Sequence, residues 1–215
     1  MRTGHRALGS GAAGLGRIVA KLGRLASKQK AGRRVMPRLW LLTDPDRLAD
    51  PVAAARGLPV GSGIIYRSFG RINAKTEALA LARLARNRGL ILLIGADACL
   101  AARVGAHGVH LPERLMALAP RLRARHPGWI LTTAAHNRRA LESAEALRLD
   151  GAFLSAVFPS QSPSAGAPMG AVRLASYVRG AALPIMALGG ITAKTGQRLL
   201  STGVYGLAAI EGLKI

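Results

Sequence analysis

Pro184-Ile185-Met186-Ala187-Leu188-Gly189-Gly190-Ile191-Thr192 decides the fold of this chain. A short apolar run ends in two glycines and then opens a helix. About fifteen residues on, Gly206-Leu207-Ala208-Ala209-Ile210 repeats the pattern. Two successive strand ends made of small residues leave main-chain N–H groups uncovered, and an anion can settle against them. In a (β/α)₈ barrel the loops after strands seven and eight commonly hold phosphate. These are the last two strand-like runs of the sequence.

Working backwards, the same alternation covers the chain from Arg38. Strand-like runs fall at residues 39–43, 63–67, 90–94, 108–111, 129–133 and 151–155. Helices are predicted over Pro51–Arg56, from an Asn73 cap to Asn87, and over Asp97–Arg103, Arg114–Arg125, Arg138–Leu147 and Ala171–Arg179. Eight near-continuous apolar runs at regular spacing predict a parallel sheet covered by helices, and eight repeats favour closure into a (β/α)₈ TIM barrel. Because the sequence ends at Ile215, the last helix is expected to be short.

Composition narrows the class. The 215 residues suit one barrel, built mostly from aliphatic side chains because only 4% are aromatic. The single Cys99 excludes an internal disulfide framework, fits a reducing, cytoplasmic setting, and reads as core. No apolar run approaches the roughly 20 residues of a membrane span. Of the net charge of +21, +9 sits in residues 1–35, which hold nine Lys or Arg and no acid, and +12 is spread over the rest. That spread argues against specific nucleic-acid binding. The domain reading is therefore a basic, flexible extension over 1–35 and a barrel over 36–215. Ile18, Leu22 and Leu25 share a helical face in the extension, so a membrane-surface or partner helix stands beside the disordered reading. Deletion of residues 1–35 is expected to spare ligand binding if the barrel carries the function, and to abolish function if the tail contacts membrane or nucleic acid and the barrel is vestigial. Oligomeric state is left open, a homo-oligomer included.

Polar residues expected at the strand ends are Asp44, Arg67, Asp97, His110, His136, Ser160 and Ser162. Arg67 reads either as an anion contact or as a salt bridge within the barrel. His110 reads as packed or hydrogen-bonded inside the mouth, and His107 and His126 as exposed. His136, beside Asn137, reads either as an acid–base group or as a capping or solvated histidine. Gly189-Gly190 reads either as half of a phosphate cup, with the Ala209 and Ile210 amides, or as a tight turn without ligand.

Four stretches in collinear order resemble the thiamine phosphate synthase/TenI family. Gly105-Ala106-His107-Gly108-Val109-His110-Leu111 is similar to its G-A-D-G-V-H-L run, and Val157-Phe158-Pro159-Ser160-Gln161-Ser162 to its V-F-P-T-x-T. Leu188-Gly189-Gly190-Ile191 and Gly203-Val204-Tyr205-Gly206-Leu207-Ala208 complete the set. The resemblance implies a barrel that handles a small phosphorylated thiazole in thiamine biosynthesis. Its synthase branch joins the thiazole to a pyrimidine pyrophosphate with Mg²⁺; its TenI branch includes tautomerases that move a proton on the thiazole carboxylate phosphate without metal.

Carried over position by position, the coupling chemistry fits poorly. The family's Q-x-R-x-K falls on Ile65-Tyr66-Arg67-Ser68-Phe69 and keeps only Arg67. Its I-N-D falls on Ile94-Gly95-Ala96, a further carboxylate falls near Leu115 with Glu113 close by, and a lysine falls on Pro163. Asp44, Asp97 and Glu113 remain as donors for a displaced Mg²⁺ site; otherwise no cofactor is expected. The histidine used for proton transfer in TenI-like members falls on His136. Glu211 falls where the family often carries a serine at the phosphate edge. The resemblance thus implies thiazole tautomerisation or a divergent synthase reaction, with a barrel that only binds the phosphorylated precursor as the alternative.

Overall fold

The computed structural model describes residues 10–25, 35–161 and 166–213. Its strands are β1 (Leu39–Leu42), β2 (Gly63–Tyr66), β3 (Ile91–Gly95), β4 (Gly108–Leu111), β5 (Ile130–Ala135), β6 (Gly151–Leu154), β7 (Ile185–Ala187) and β8 (Gly206–Ala209). Each pairs in parallel with the next and β8 closes on β1, giving the (β/α)₈ barrel. The helices are α1 (Ser10–Leu25), α2 (Pro51–Arg56), α3 (Ala74–Arg88), α4 (Ala98–Val104), α5 (Ala119–Arg125), α6 (Arg138–Ala146), α7 (Gly170–Arg179) and α8 (Ala193–Gln197). After β8 there is a single 3₁₀ turn, Glu211–Leu213, within the described residues.

Alternation along each strand builds two apolar shells. Trp40 and Leu42 point into the barrel with Ile65, Leu93, Phe153 and Met186, while Leu39 and Leu41 pack outward under the helices. Trp40 sets the interior. Its ring meets Phe153 edge-on at 5.3 Å, its Nε1 donates to the Pro37 carbonyl at 2.7 Å, and a Cβ on Gly63 would enter its ring. The strands can be largely apolar because both of their faces are buried.

Several expectations need correction. Residues 10–25 are not a flexible extension but α1, with Leu15, Ile18 and Leu22 buried against β8, β1, α8 and the Glu211–Leu213 turn. The reason is physical: the apolar stripe fills the seam where the barrel closes, which the one turn after β8 leaves uncovered. Gly14 lies so close to Ala193 that an added Cβ would come within 2.9 Å of its side chain. Arg17, Lys21 and Arg24 face outward. The side chain of Leu25, and residues 1–9 and 26–34, lie outside the described residues.

The helix expected over Arg114–Arg125 begins as a 3₁₀ segment, Glu113–Leu118, and becomes α5 only at Ala119. Pro120 lacks the N–H that a continuous helix would use there. Cys99 is exposed rather than core, because Leu100, Ala101 and Val104 form the buried face of α4. Asn73 occupies the cap position of α3, but its side chain makes no capping bond. No described helix is long and apolar enough to cross a membrane.

Candidate active site

One cavity of about 1230 Å³ opens at the carboxyl ends of the strands. Arg67, His110, His136, Ser160, Gly189, Gly190, Ala209 and Ile210 all line it. Ser162 lies outside the described residues.

The turn after β7 is shaped by the loop after β6. Val157 N donates to Leu188 O at 2.9 Å and Phe158 N to Gly189 O at 3.0 Å, drawing the two backbones together. A Cβ on Gly189 would meet Ala156 Cα at 2.9 Å, and one on Gly190 would run into the Pro159 carbonyl. Both residues have left-handed backbones, φ +93° and +64°, so glycine is required with or without a ligand. The same turn leaves the N–H groups of Gly189, Gly190 and Ile191 without a hydrogen bond among the described residues. Thr192 then caps α8 in a reciprocal pair with Thr195, and Thr195 Oγ1 donates to Gly190 O at 2.7 Å, fixing the turn. Ala209 and Ile210 form the adjoining wall, and Glu211 stands exposed on the rim.

Arg67 is held from β1. Its Nε donates to Thr43 O at 2.7 Å and its Nη2 lies 3.4 Å from Asp44, which Arg47 also binds at 2.7 Å. Burial pushes the Arg67 pKa down to about 10, with Asp44 opposing, so it stays charged at neutral pH. Burial alone would raise Asp44, but the Arg47 hydrogen bond and the two guanidinium charges outweigh it and hold that carboxyl below its usual range. Arg67 is thus both a salt-bridge partner and a cavity wall, and two cations share one carboxylate.

His136 Nδ1 lies 2.6 Å from Glu113 Oε2, the two side chains roughly half and one third exposed. Capping of α6 falls to Asn137, whose Oδ1 accepts from Ala140 N at 2.9 Å, which leaves His136 free of that task. His110 forms the floor. It is buried, with Nδ1 3.0 Å from Thr132 Oγ1 and its ring edge-on to Phe153 at 5.1 Å. Burial first, and then the Arg67 charge, push its pKa down to about 3, so it is neutral. His107 and His126 are half-buried rather than exposed: His107 Nδ1 accepts from Leu92 N at 3.1 Å and His126 stacks on Trp129. Phe69, in the Tyr66–Phe69 stretch whose bulk argues for a changed or smaller second pocket, lines the mouth, as do Arg47 and Cys99, which carry no site signal in the sequence.

The three carboxylates named as donors for a displaced Mg²⁺ site stand apart, each engaged with its own protein partners. Asp44 is bound by Arg47 and Arg67, Asp97 caps α4 through Leu100 N, and Glu113 pairs with His136. Among the described residues no three His, Cys, Asp or Glu converge to hold a metal. Mg²⁺ is commonly held by one or two carboxylates together with substrate phosphates, and Asp44, Asp97 and Glu113 each already have a protein partner.

Fold and site together define a (β/α)₈-barrel protein with a cavity at the carboxyl ends of its strands. Residues 57–213 match the family model described as thiamine monophosphate synthase, and the chain belongs to that family. It is 33% identical over 175 residues to the thiamine-phosphate synthase of Methylobacillus flagellatus, covering 80% of this chain and 82% of that one. Against the thiamine biosynthesis bifunctional protein ThiED of Geobacter sulfurreducens, identity is 29% over 183 residues. That match covers 83% of this chain and only 37% of the bifunctional protein. Among solved structures, the thiamine phosphate pyrophosphorylase from Pyrococcus furiosus shares the fold, with TM-score 0.69 and 23% identity over 86% of this chain and 87% of that one.

Proposed function

We propose that this barrel is a thiamine-biosynthesis enzyme that binds a thiazole phosphate in its mouth and moves a proton on the thiazole ring. The carrying observation is the 2.6 Å pair of His136 and Glu113 on the same cavity as the Gly189-Gly190-Ile191 turn. The three turn N–H groups receive the phosphate oxygens, and Ser160, Ala209 and Ile210 enclose them. Arg67, fixed and charged, faces a second anionic group such as a ring carboxylate. Glu113 holds the imidazole by Nδ1, leaving Nε2 for the ligand. The imidazole takes a proton from one ring atom of the ligand and returns it to another, with no other bond made or broken.

Coupling to a pyrimidine pyrophosphate is the less supported reaction. Pyrophosphate departure needs concentrated positive charge and an oxygen-ligated metal, and Asp44, Asp97 and Glu113 are each engaged with a different partner.

Incubation with thiazole carboxylate phosphate in deuterated buffer separates the readings, with and without Mg²⁺ and the pyrimidine pyrophosphate. Deuterium uptake by the thiazole without added metal is the expected result. Thiamine phosphate formation would make the protein a synthase. Tight binding with neither reaction would leave a barrel that only binds the phosphorylated precursor.

A further inference from the structure

The loop between β2 and α3 carries an aromatic side chain that the barrel does not use. Phe69 is 66% exposed, yet it lines the mouth of the cavity. Its backbone has φ +46°, a conformation rarely adopted by a side chain of this size, and Gly70 follows at +80°. Both flanks of the loop are anchored. On one side Arg67 is bound to Thr43 O and Asp44. On the other, Arg71 lies 3.6 Å from Glu77, which also accepts from Tyr66 Oη at 2.7 Å. Between these anchors the Arg67 guanidinium sits 5.2 Å from the Phe69 ring centroid, so the ring rests on a cation that is itself held in place. An aromatic ring turned out of the core, held at a cavity entrance and largely open to solvent, is suited to receive another ring.

We propose that Phe69 is a stacking residue that covers the barrel mouth and packs on the planar heteroaromatic ring of the bound phosphate ester, with Arg67 as its seat. This deepens the thiazole phosphate reading and rests on it. The division of labour is explicit: the turn after β7 takes the phosphate, and Phe69 takes the ring. Selectivity for an aromatic phosphate ester over bare phosphate then comes from one side chain.

Calorimetric titration of wild type, Phe69→Ala and Phe69→Tyr with thiazole phosphate and with inorganic phosphate tests the assignment, alongside thermal melts. Phe69→Ala is expected to bind thiazole phosphate about tenfold more weakly and inorganic phosphate unchanged, with Phe69→Tyr within about twofold of wild type for both. Its melting temperature should not move, because the ring is outside the core. Wild-type affinity for thiazole phosphate in Phe69→Ala overturns the assignment. So does an equal loss for both ligands, which would make the residue structural. Failure of the wild type to bind either ligand removes the thiazole phosphate reading itself, and the stacking role with it.

Discussion

Glu113 Oε2 stands 2.6 Å from His136 Nδ1, although Glu113 opens the 3₁₀ segment after β4 and His136 follows β5, 23 positions on. Such a contact orients the ring and selects which nitrogen faces the cavity. His136→Gln is expected to lower turnover at least a hundredfold. Glu113→Gln, which keeps the shape and removes the charge, should cost about tenfold in kcat with KM little changed. Steady-state exchange rates on thiazole carboxylate phosphate check both, and a change in KM alone would reduce the pair to a binding contact.

Gly190→Ala is expected to damage the site and the fold together. The new methyl would meet Phe158 Cβ at 2.8 Å and the Pro159 carbonyl, on a backbone at φ +64°. Strain and overpacking of this kind cost about 1–3 kcal/mol each. A urea melt should show a lowered midpoint, and phosphate affinity should fall with it.

Stability should decline on mild acidification because of His110. Its unfolded pKa is near 6.5 and its folded pKa about 3, so the unfolded chain takes up the proton first. The contribution is complete above the unfolded value and is lost as pH falls from about 6.5 towards 3, on the order of 2 kcal/mol by about pH 5. Denaturant melts across that range should show the slope, and the pair His110→Phe with Thr132→Val should flatten it.

Truncation at residue 34 should unfold the barrel rather than spare ligand binding. α1 buries Leu15, Ile18 and Leu22 in the β8–β1 seam. Leu22→Ala alone is expected to cost about 2–4 kcal/mol, read from a chemical melt, whereas Lys21→Ala on the outer face should be near neutral.

The barrel was legible in the sequence because each strand is buried on both faces, so its apolar run is unbroken; Gly108–Leu111 and Pro51–Arg56 fall at their exact limits. The mouth was legible from strand-end position, which gathers Arg67, His136 and Gly189-Gly190 on one cavity. What the sequence hid depends on partners distant along the chain. The Gly/Ala-rich start of α1 looks flexible until the seam it covers is known, and Cys99 looks apolar by its neighbours until α4 turns it outward. Nor does local spacing show that Asp44 is shared by Arg47 and Arg67, or that Glu113 reaches His136.

The account is tested most directly by a structure of the protein with thiazole carboxylate phosphate bound. The expected result puts phosphate oxygens about 2.7–3.2 Å from the N atoms of Gly190 and Ile191, and the thiazole ring against His136 Nε2. Phosphate seated elsewhere in the barrel, or a ring turned away from His136, would contradict it.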